Sequence, residues 1–347
     1  MKNRPKLKDI AKRLGVSSAT VSRALADSEL VAEETRKRIL DMAIALDYRP
    51  NVSARSLRTR RSMSVLMVVR DVGNPFYLEV LKGVEAAARE AGYSVLMGNT
   101  ENDPEREDEY FHMLRDGHAD GMILMTGKLP TRYRLPSNED STPPVVVALE
   151  LIDGAALPHV QIDNAGAARD AVNHLVALGH RRVAHISGPV PEVMSALRRD
   201  GYRAAMADAG LAVPEGYEQR GDYSLGSGQE ACTALFRLSE SPTAIFVAND
   251  EMAYGAIHEL HRLGLDVPGD VSVVGFDDLF FSRALNPPLT TLSQPRAEIG
   301  RQAMELLLDI LAGECGPFDP VVVPTELRIR GSTAPPRPEK PPTEKEE

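Results

Sequence analysis

The spacing of hydrophobic residues in this chain changes from helical near the N-terminus to short continuous runs further along. The spacing i, i+3, i+4, i+7 predicts one apolar helix face formed by Leu7, Ile10, Ala11 and Leu14. Gly15 would end this helix, and Ser17 can cap a second helix that runs to about Ala26. The second helix would bury Val21 and Leu25. Two short helices around a glycine turn predict a helix-turn-helix, whose second helix has the dimensions of a DNA major groove.

A third helix is predicted by a further apolar face, which consists of Ile39, Met42, Ala43 and Leu46. Ala32 stands at its expected N-cap and offers no side-chain oxygen, and Pro50 would stop the helix. The next segment, residues 51–57, has helix-forming composition but is too short for a stable helix in water. Arginines surround it at positions Arg55, Arg58, Arg60 and Arg61. We expect this segment to fold on its target.

From Met63 onward, short apolar runs alternate with helical patterns. The first run, at residues 63–69, is typical of a buried parallel strand. The helix that follows is predicted to pack through Leu78, Leu81, Val84 and Ala88. The alternation predicts two doubly wound α/β units, of which the second starts near Asp163 and includes a helix from Gln229 to Leu238. Sheets of this kind bind ligands in the crevice outside the carboxyl ends of their strands.

Charge distinguishes the N-terminal helices from a small bundle that never touches DNA. Residues 1–63 hold 15 Lys/Arg and 7 Asp/Glu, a balance of +8 in a chain whose net charge is −10. A basic end on an acidic protein indicates contact with phosphates. The 347 residues contain no apolar run of membrane-spanning length, and the start MKNRPKLKD lacks the apolar core of a signal peptide. We therefore expect a cytoplasmic protein with no membrane partner, in which Cys232 and Cys315 stay reduced.

Seven segments occur in the order and spacing of the lactose-repressor (LacI/GalR) family of bacterial transcription regulators: LKDIAKRLGVSSATVSRAL, YRPNVSARSL, NPFYLEVLKGVE, GHRRVAHISGP, VSVVGFDD, PPLTTLSQPRAEIG and RIRGST. The chain resembles this family over essentially all of Leu7 to Thr333. Three stretches are most similar to its cytidine repressor branch: LPHVQIDN, NPPLTTLSQPRAEIGRQAMELLLDIL and ELRIRGST. The resemblance implies an all-α helix-turn-helix head and an α/β core of two doubly wound parallel-sheet subdomains, similar to periplasmic binding proteins.

The resemblance and the composition together predict four parts of the chain. Residues 1–50 form the DNA-binding domain, 51–62 a hinge helix or linker, 63–333 the effector-binding and dimerisation core, and 334–347 a disordered, Pro-rich tail. No leucine heptad that could tetramerise the chain occurs in the tail.

The implied function is that of a homodimeric repressor which binds double-stranded operator DNA and is controlled by a small-molecule effector. The predicted DNA-contacting residues are Lys8, Ser17, Ser18, Ala19, Thr20, Ser22, Arg23, Asn51, Ala54, Arg55 and Leu57. Ser18 and Arg23 are expected to read bases. Ala54 and Leu57 match family residues that enter the minor groove, where an apolar wedge unstacks a base step.

Polar residues that follow the strands are the candidates for effector binding: Asp71, Asn74, Phe76, Asp163, Arg198, Asn249, Asp277 and Gln294. Arg296 and the strand-end neighbours Asn164 and Asp250 are further candidates. Carboxylates, amides and a guanidinium suit a hydroxyl-rich molecule, and Phe76 can stack on a ring. The resemblance assigns Arg198, Asn249 and Asp277 most clearly, and it implies a nucleoside first and a sugar second.

Other functions leave part of the sequence unexplained. A corepressor-dependent regulator remains an alternative, whereas a solute-binding protein would not need the basic head. Gly226, Gly228 and Ala231 fit the dinucleotide pattern GxGxxA but no apolar strand precedes them, so a helix start is the better interpretation. His258 and His261 share a helix face without a third metal ligand. We therefore predict no enzyme activity, no cofactor and no metal.

Overall fold

The computed structural model describes residues 5–25, 30–48, 61–130, 144–152, 157–313 and 319–338. The chain divides into two compact units between Ser62 and Met63. The hinge residues predicted to touch DNA, which are Asn51, Ala54, Arg55 and Leu57, lie outside the described residues. None of the helices in the described ranges is both long and apolar enough to cross a membrane.

The N-terminal unit contains three helices, α1 (Leu7–Leu14), α2 (Ser18–Leu25) and α3 (Glu33–Ala45). Gly15 ends α1 in the left-handed conformation, with a φ of 68°. The Ser17 hydroxyl accepts a hydrogen bond from Thr20 N at 3.0 Å, which caps α2 as the sequence predicts. The core of the unit includes Ile10, Val21 and Ile39. Leu25 packs against this core but is only partly buried, and Ala24 is the second fully buried residue of α2.

The N-terminus of α3 lacks a side-chain cap. Ala32 occupies the N-cap position with extended backbone and makes no capping hydrogen bond. Replacing Ala32 with serine is expected to stabilise the N-terminal unit by about 0.5 to 1 kcal/mol, since a hydroxyl there can accept a bond from a free N–H of the first turn. Amide hydrogen exchange across α3 in the full-length protein measures the gain. Ala45→Ser lies at the other end of the helix, where its hydroxyl cannot cap the N-terminus of α3, and it should slightly lower the stability of the unit. Equal protection in the two variants would show that another group already caps α3.

The first sheet of the C-terminal unit consists of the parallel strands β1 (Ser64–Val69), β2 (Ser94–Asn99), β3 (Gly121–Met125), β4 (Val145–Ala148), β5 (His159–Gln161) and β11 (Val321–Val322), in the order β11-β5-β4-β3-β1-β2. Alternate residues of β1 pack on opposite faces: Val65 and Met67 pack with one core cluster, and Leu66 and Val68 with another. Both faces are covered by helices, as in a doubly wound fold. The helices of this part of the chain are α4 (Phe76–Glu90) and α5 (Pro104–Arg115).

The second sheet consists of β6 (Val183–Ser187), β7 (Glu218–Arg220), β8 (Ala244–Val247), β9 (Ser272–Asp277), β10 (Thr290–Ser293) and β12 (Glu326–Arg328). Its order is β12-β10-β9-β8-β6-β7, and it is parallel except for its antiparallel edge strand β12. The helices of this part are α6 (Asn164–Ala177), α7 (Val193–Asp208), α8 (Leu225–Leu235), α9 (Asp250–Arg262) and a 3₁₀ helix (Phe280–Arg283). The chain returns to the first sheet for β11 (Val321–Val322), and α10 (Arg296–Ala312) packs on α4. The subdomains are thus interwoven rather than consecutive.

Glycines let the paired helices approach closely. A Cβ on Gly83 of α4 would lie 1.8 Å from the carbonyl oxygen of Ala297 in α10, and one on Gly300 would lie 2.1 Å from that of Val80. This contact sets the rotation of α4, which buries Val80, Gly83, Val84, Ala87 and Ala88. The predicted packing through Leu78 is therefore wrong, because Leu78 is 51% exposed.

Two predicted boundaries also shift. Helix α8 begins at Leu225 rather than Gln229, because the Ser224 hydroxyl accepts from Ser227 N at 3.2 Å and caps it. The GxGxxA stretch is thus the first part of a helix. At the C-terminus, the first residues of the expected disordered tail are tied to the second sheet. Ala334 N donates to Ser272 Oγ at 3.0 Å, and Arg337 forms an ion pair with Asp270.

Candidate functional site

A cleft of about 490 Å³ lies at the carboxyl ends of the strands of both sheets. The first sheet contributes Arg70 and Asp71 after β1, and the second contributes Asn249 after β8 and Asp277 at the end of β9. Among the described residues, the cleft is lined by Arg70, Asp71, Asn74, Phe76, Tyr77, Asn102, Met125, Lys128, Leu149, Glu150, Pro189, Glu192, Met194, Arg198, Asp222, Tyr223, Ser224, Asn249, Glu251, Asp277 and Gln294.

Arg198 is the most firmly held cation of the cleft. It lies on α7, and only 3% of the residue is exposed. Its Nε donates to Asn164 Oδ1 at 2.8 Å and its Nη1 donates to the Ala248 carbonyl at 2.6 Å. The guanidinium carbon lies 3.7 Å from the centre of the Phe276 ring, a cation–π contact. These contacts fix the plane of the guanidinium before any ligand arrives.

Asp277 presents a buried carboxylate to the same cleft. Its φ of 114° is rare for a residue other than glycine, and such strained conformations concentrate at functional sites. Gln294 Nε2 donates to Asp277 Oδ1 at 2.7 Å. Burial raises the pKa of Asp277 to about 6, against the opposing effect of Arg198 and Arg296. The Oε1 atom of Gln294 is buried and has no hydrogen-bond partner among the described residues, so it can accept from a ligand.

Asn249 and Asp250 mainly form hydrogen bonds within the protein, and these bonds stabilise the wall of the cleft. Asn249 Oδ1 caps α9 by accepting from Met252 N at 3.0 Å, and its Nδ2 donates to the Tyr223 carbonyl at 3.0 Å. Asp250 is fully buried behind the lining, where it accepts from Leu279 N at 2.8 Å and from the hydroxyls of Ser282 and Thr291. Burial raises the pKa of Asp250 to about 7. Among the strand-end candidates, Asp250 is thus an interior residue.

Polar contacts cross the cleft from one subdomain to the other. Arg70 donates through Nη2 to Glu150 Oε1 at 2.6 Å within the first subdomain, and through Nη1 across the cleft to Glu192, which precedes α7. Burial raises the pKa of Glu150 to about 7, although Arg70 opposes that shift. Asn74 Nδ2 also donates across the cleft, to Glu251 Oε2 at 3.4 Å. The relative position of the two subdomains is thus tied to side chains that a ligand would meet.

Phe76 begins α4 and provides the aromatic surface. Asn74 Oδ1 accepts from Phe76 N at 2.8 Å, which fixes the start of the helix. The Tyr77 ring meets the Phe76 ring edge-on at 5.5 Å, and the Arg296 guanidinium lies 5.6 Å from the centre of the Phe76 ring. Arg296 itself donates to the Asp278 carbonyl at 2.8 Å and does not line the cleft.

Seven of the eight predicted effector residues line the cleft, and Asp163 does not. The Asp163 carboxylate caps α6 by accepting from Gly166 N at 2.8 Å, a common role for an aspartate that precedes a helix. Sequence reasoning missed Arg70, Glu150, Glu192, Tyr223 and Glu251. Arg70 and Glu150 follow apolar strands, so the strand-end rule could have found them. Tyr223 and Glu192 lie in loops without such a signal.

The N-terminal unit presents a candidate DNA-binding surface on α2. Four of its predicted contact residues are exposed, namely Lys8, Ser17, Ser18 and Ala19, and Arg23 at the last turn is exposed as well. Thr20 and Ser22 are partly buried. Val21 and Ala24 hold the opposite face of α2 in the core. An exposed small-residue face that ends in an arginine leaves room for base edges.

Two segments of the chain match known families. Residues 6–51 match the bacterial regulatory proteins of the lacI family, and residues 172–333 match the periplasmic binding protein-like domain. The chain is 38% identical over 327 residues to the HTH-type transcriptional repressor CytR of Escherichia coli (strain K12), with 94% of this chain and 96% of the relative covered. It is 35% identical over 308 residues to the ribose operon repressor of that organism, with 87% and 92% covered.

Two solved structures are similar over nearly the whole chain. One is the lac repressor dimer bound to operator and the anti-inducer ONPF, with a TM-score of 0.84, 26% identity, and 96% of this chain and 100% of that chain covered. The other is the complex of the transcriptional regulator CelR with cellobiose, with a TM-score of 0.70, 30% identity, and 95% and 100% covered.

Proposed function

Because the chain belongs to the LacI family of bacterial regulatory proteins, we propose that it is a cytoplasmic homodimer that represses transcription until a nucleoside or sugar enters its cleft. It is a DNA-binding transcription regulator and not an enzyme. Two heads would read a pseudo-palindromic operator whose half-sites lie about 10 bp apart, one turn of DNA.

The observation that carries the effector proposal is the arrangement of Arg198, Asp277 and Gln294. An immobilised guanidinium and a buried carboxylate face one cleft, beside an amide oxygen that has no hydrogen-bond partner in the described part of the chain. A vicinal diol suits this set, because each hydroxyl can donate to one group and accept from another. Relatives support this ligand class: CelR is solved with cellobiose, and other relatives are named for ribose. Phe76 supports a ring and places nucleosides first.

The ligand would act by favouring one arrangement of the subdomains. Arg70 and Glu192 join the two sides of the cleft, so a molecule seated between them changes the relative stability of open and closed forms. To change the ratio of the operator-binding form to the DNA-releasing form from 99:1 to 1:99, the ligand must bind the releasing form more tightly by about 5.5 kcal/mol. We propose that the ligand favours the form that releases DNA.

Calorimetric titration of the full-length protein tests this proposal with cytidine, adenosine, ribose, other pentoses and hexoses. A ligand found this way is then added to a gel shift with operator DNA. We expect a nucleoside to bind and to release the operator. Binding of sugars alone would reject the nucleoside choice, and tighter operator binding with ligand would reject the inducer sign in favour of corepression.

Base reading by α2 gives a separate prediction. Arg23→Ala is expected to weaken binding to the best operator by about 1 to 3 kcal/mol more than binding to random DNA, because a bidentate arginine–guanine contact is lost. Gel shifts at one salt concentration measure both affinities. The control is Arg38→Ala, since Arg38 is an exposed arginine on α3. This variant should weaken binding to both DNAs by a similar small amount. Equal losses for Arg23→Ala on the two DNAs would mean that Arg23 contacts only phosphate.

A further inference from the structure

We propose that the cleft accepts only unphosphorylated, donor-rich ligands and rejects the phosphate esters of the same molecules. This inference rests on the proposed function and narrows it. The regulator would then respond to a free nucleoside or sugar and remain insensitive to the product of a kinase reaction that adds a phosphate to it. Three observations support the proposal. The lining carries a negative net charge, its cations already have protein partners, and most of its buried polar atoms without a partner among the described residues are acceptors.

The lining of the cleft carries more negative than positive charge. Its described side chains include three cations, Arg70, Lys128 and Arg198. They also include six carboxylates, Asp71, Glu150, Glu192, Asp222, Glu251 and Asp277. The carboxylates come from both subdomains, so closure of the cleft places them on both sides of a ligand. A phosphate dianion would enter a field of its own sign, inside walls that weaken solvent screening.

Each of the three cations already has a protein partner. Arg70 forms ion pairs with Glu150 and Glu192. Lys128 Nζ lies 3.4 Å from the buried carboxylate of Glu107. Arg198 uses Nε and Nη1 for fixed contacts and rests its face on an aromatic ring. A site built for phosphate offers free guanidinium forks or backbone N–H groups instead.

Several carboxylates, by contrast, lie close to one another. The pKa of Glu251 is raised by burial and, after that, by the negative charges of Asp277 and Asp71. Asp71 follows β1 of the first subdomain, whereas Asp277 ends β9 and Glu251 lies in the first turn of α9, both in the second subdomain. Like charges on the two sides of the cleft repel each other, and hydrogen-bond donors placed between them relieve that repulsion.

Most buried polar atoms of the lining that have no partner among the described residues are acceptors. They are Gln294 Oε1 and Glu192 Oε2, beside one donor, Arg70 Nε, whose guanidinium already pairs with Glu150 and Glu192. A buried acceptor without a partner is unfavourable, so a ligand that supplies N–H or O–H groups gains from both. Hydroxyl and amino groups supply such donors, whereas a phosphate dianion supplies further acceptors only. Two of these three atoms therefore favour the same kind of ligand as the negative charge of the lining does.

Titration calorimetry on the full-length protein with matched pairs tests the inference. The pairs are cytidine and cytidine 5′-monophosphate, adenosine and adenosine 5′-monophosphate, and ribose and ribose 5-phosphate. We expect each ester to bind at least about 100-fold more weakly than its parent at low salt, with the difference shrinking at higher salt as charges are screened. 5′-O-Acetylcytidine, which is bulky but uncharged, should bind much better than the monophosphate.

A variant tests charge directly. Glu251→Gln is expected to reduce the discrimination between cytidine and its monophosphate by about tenfold, since it removes one facing charge. Glu230→Gln, an exposed carboxylate on α8 outside the cleft, should leave it unchanged.

The outcomes separate this inference from the function on which it rests. An ester that binds as well as its parent overturns the inference and leaves the effector proposal standing. The inference also fails if the acetyl derivative binds as weakly as the monophosphate, because the selectivity would then depend on size. It fails likewise if neither salt nor Glu251→Gln changes the discrimination between cytidine and its monophosphate. If no nucleoside or sugar binds, the effector proposal and the inference both fail.

Discussion

Replacing Arg198 with lysine should weaken ligand binding by about 100-fold and leave operator binding intact, which gives a repressor that no longer responds. Lysine keeps the positive charge but cannot reach Asn164 Oδ1 and the Ala248 carbonyl with a planar fork, and it loses the ring contact with Phe276. A hydrogen bond to a charged group contributes about 1.5 to 3 kcal/mol, so the loss of one bond between the oriented guanidinium and the ligand accounts for the expected effect.

The measurement combines calorimetric titration with the best ligand and a gel shift with and without that ligand. Arg199→Ala is the matched control, because Arg199 is the next residue of α7 and does not line the cleft. It should retain the response. Because Arg198 is buried, the melting temperature of the variant is measured as well. Normal ligand affinity in a folded Arg198→Lys protein would remove this residue from the site.

The fold class and the family could be read from the sequence because their signals are local. Apolar spacing located α1 and α2, Gly15 and Ser17 fixed the turn between them, and seven ordered segments carried the family resemblance, which the comparisons confirm. Contacts between segments that are distant along the chain could not be predicted from the sequence. The return of α10 and β11 to the first sheet and the exposure of Leu78 both depend on helix packing at Gly83 and Gly300.

In the candidate site, too, local signals could be interpreted from the sequence and contacts between distant segments could not. Parallel strands end at a common edge, so residues such as Asp71 and Asp277 could be placed together from the sequence. The same rule placed Asp163 in the cleft, but a short side chain before a helix can cap it instead, and the local sequence does not distinguish the two roles. Glu192 reaches Arg70 only because the two subdomains face each other, a relation that strand-by-strand reasoning does not contain.

Two glycines of α8 should respond in opposite directions to the same substitution. A Cβ on Gly228 would lie 2.1 Å from the carbonyl oxygen of Met252 in α9, and backbone cannot move aside as a side chain can. Gly228→Ala is therefore expected to destabilise the protein by about 3 kcal/mol, at the upper end for overpacking. Gly226 is two residues away, and the nearest atom to its Cβ would be Ser224 Oγ at 3.9 Å. Gly226→Ala should stabilise by about 0.5 kcal/mol, because alanine restricts the unfolded chain and favours helix.

Urea unfolding of the full-length protein, followed by circular dichroism, measures both changes. Gly255→Ala provides a second test from the facing helix, since its Cβ would lie 2.0 Å from the carbonyl oxygen of Leu225. It should destabilise about as much as Gly228→Ala, and the double variant should cost less than the sum, because one separation of α8 from α9 relieves both clashes. If Gly228→Ala is as well tolerated as Gly226→Ala, the two helices do not approach through their glycines, and the close packing described for α8 and α9 is wrong.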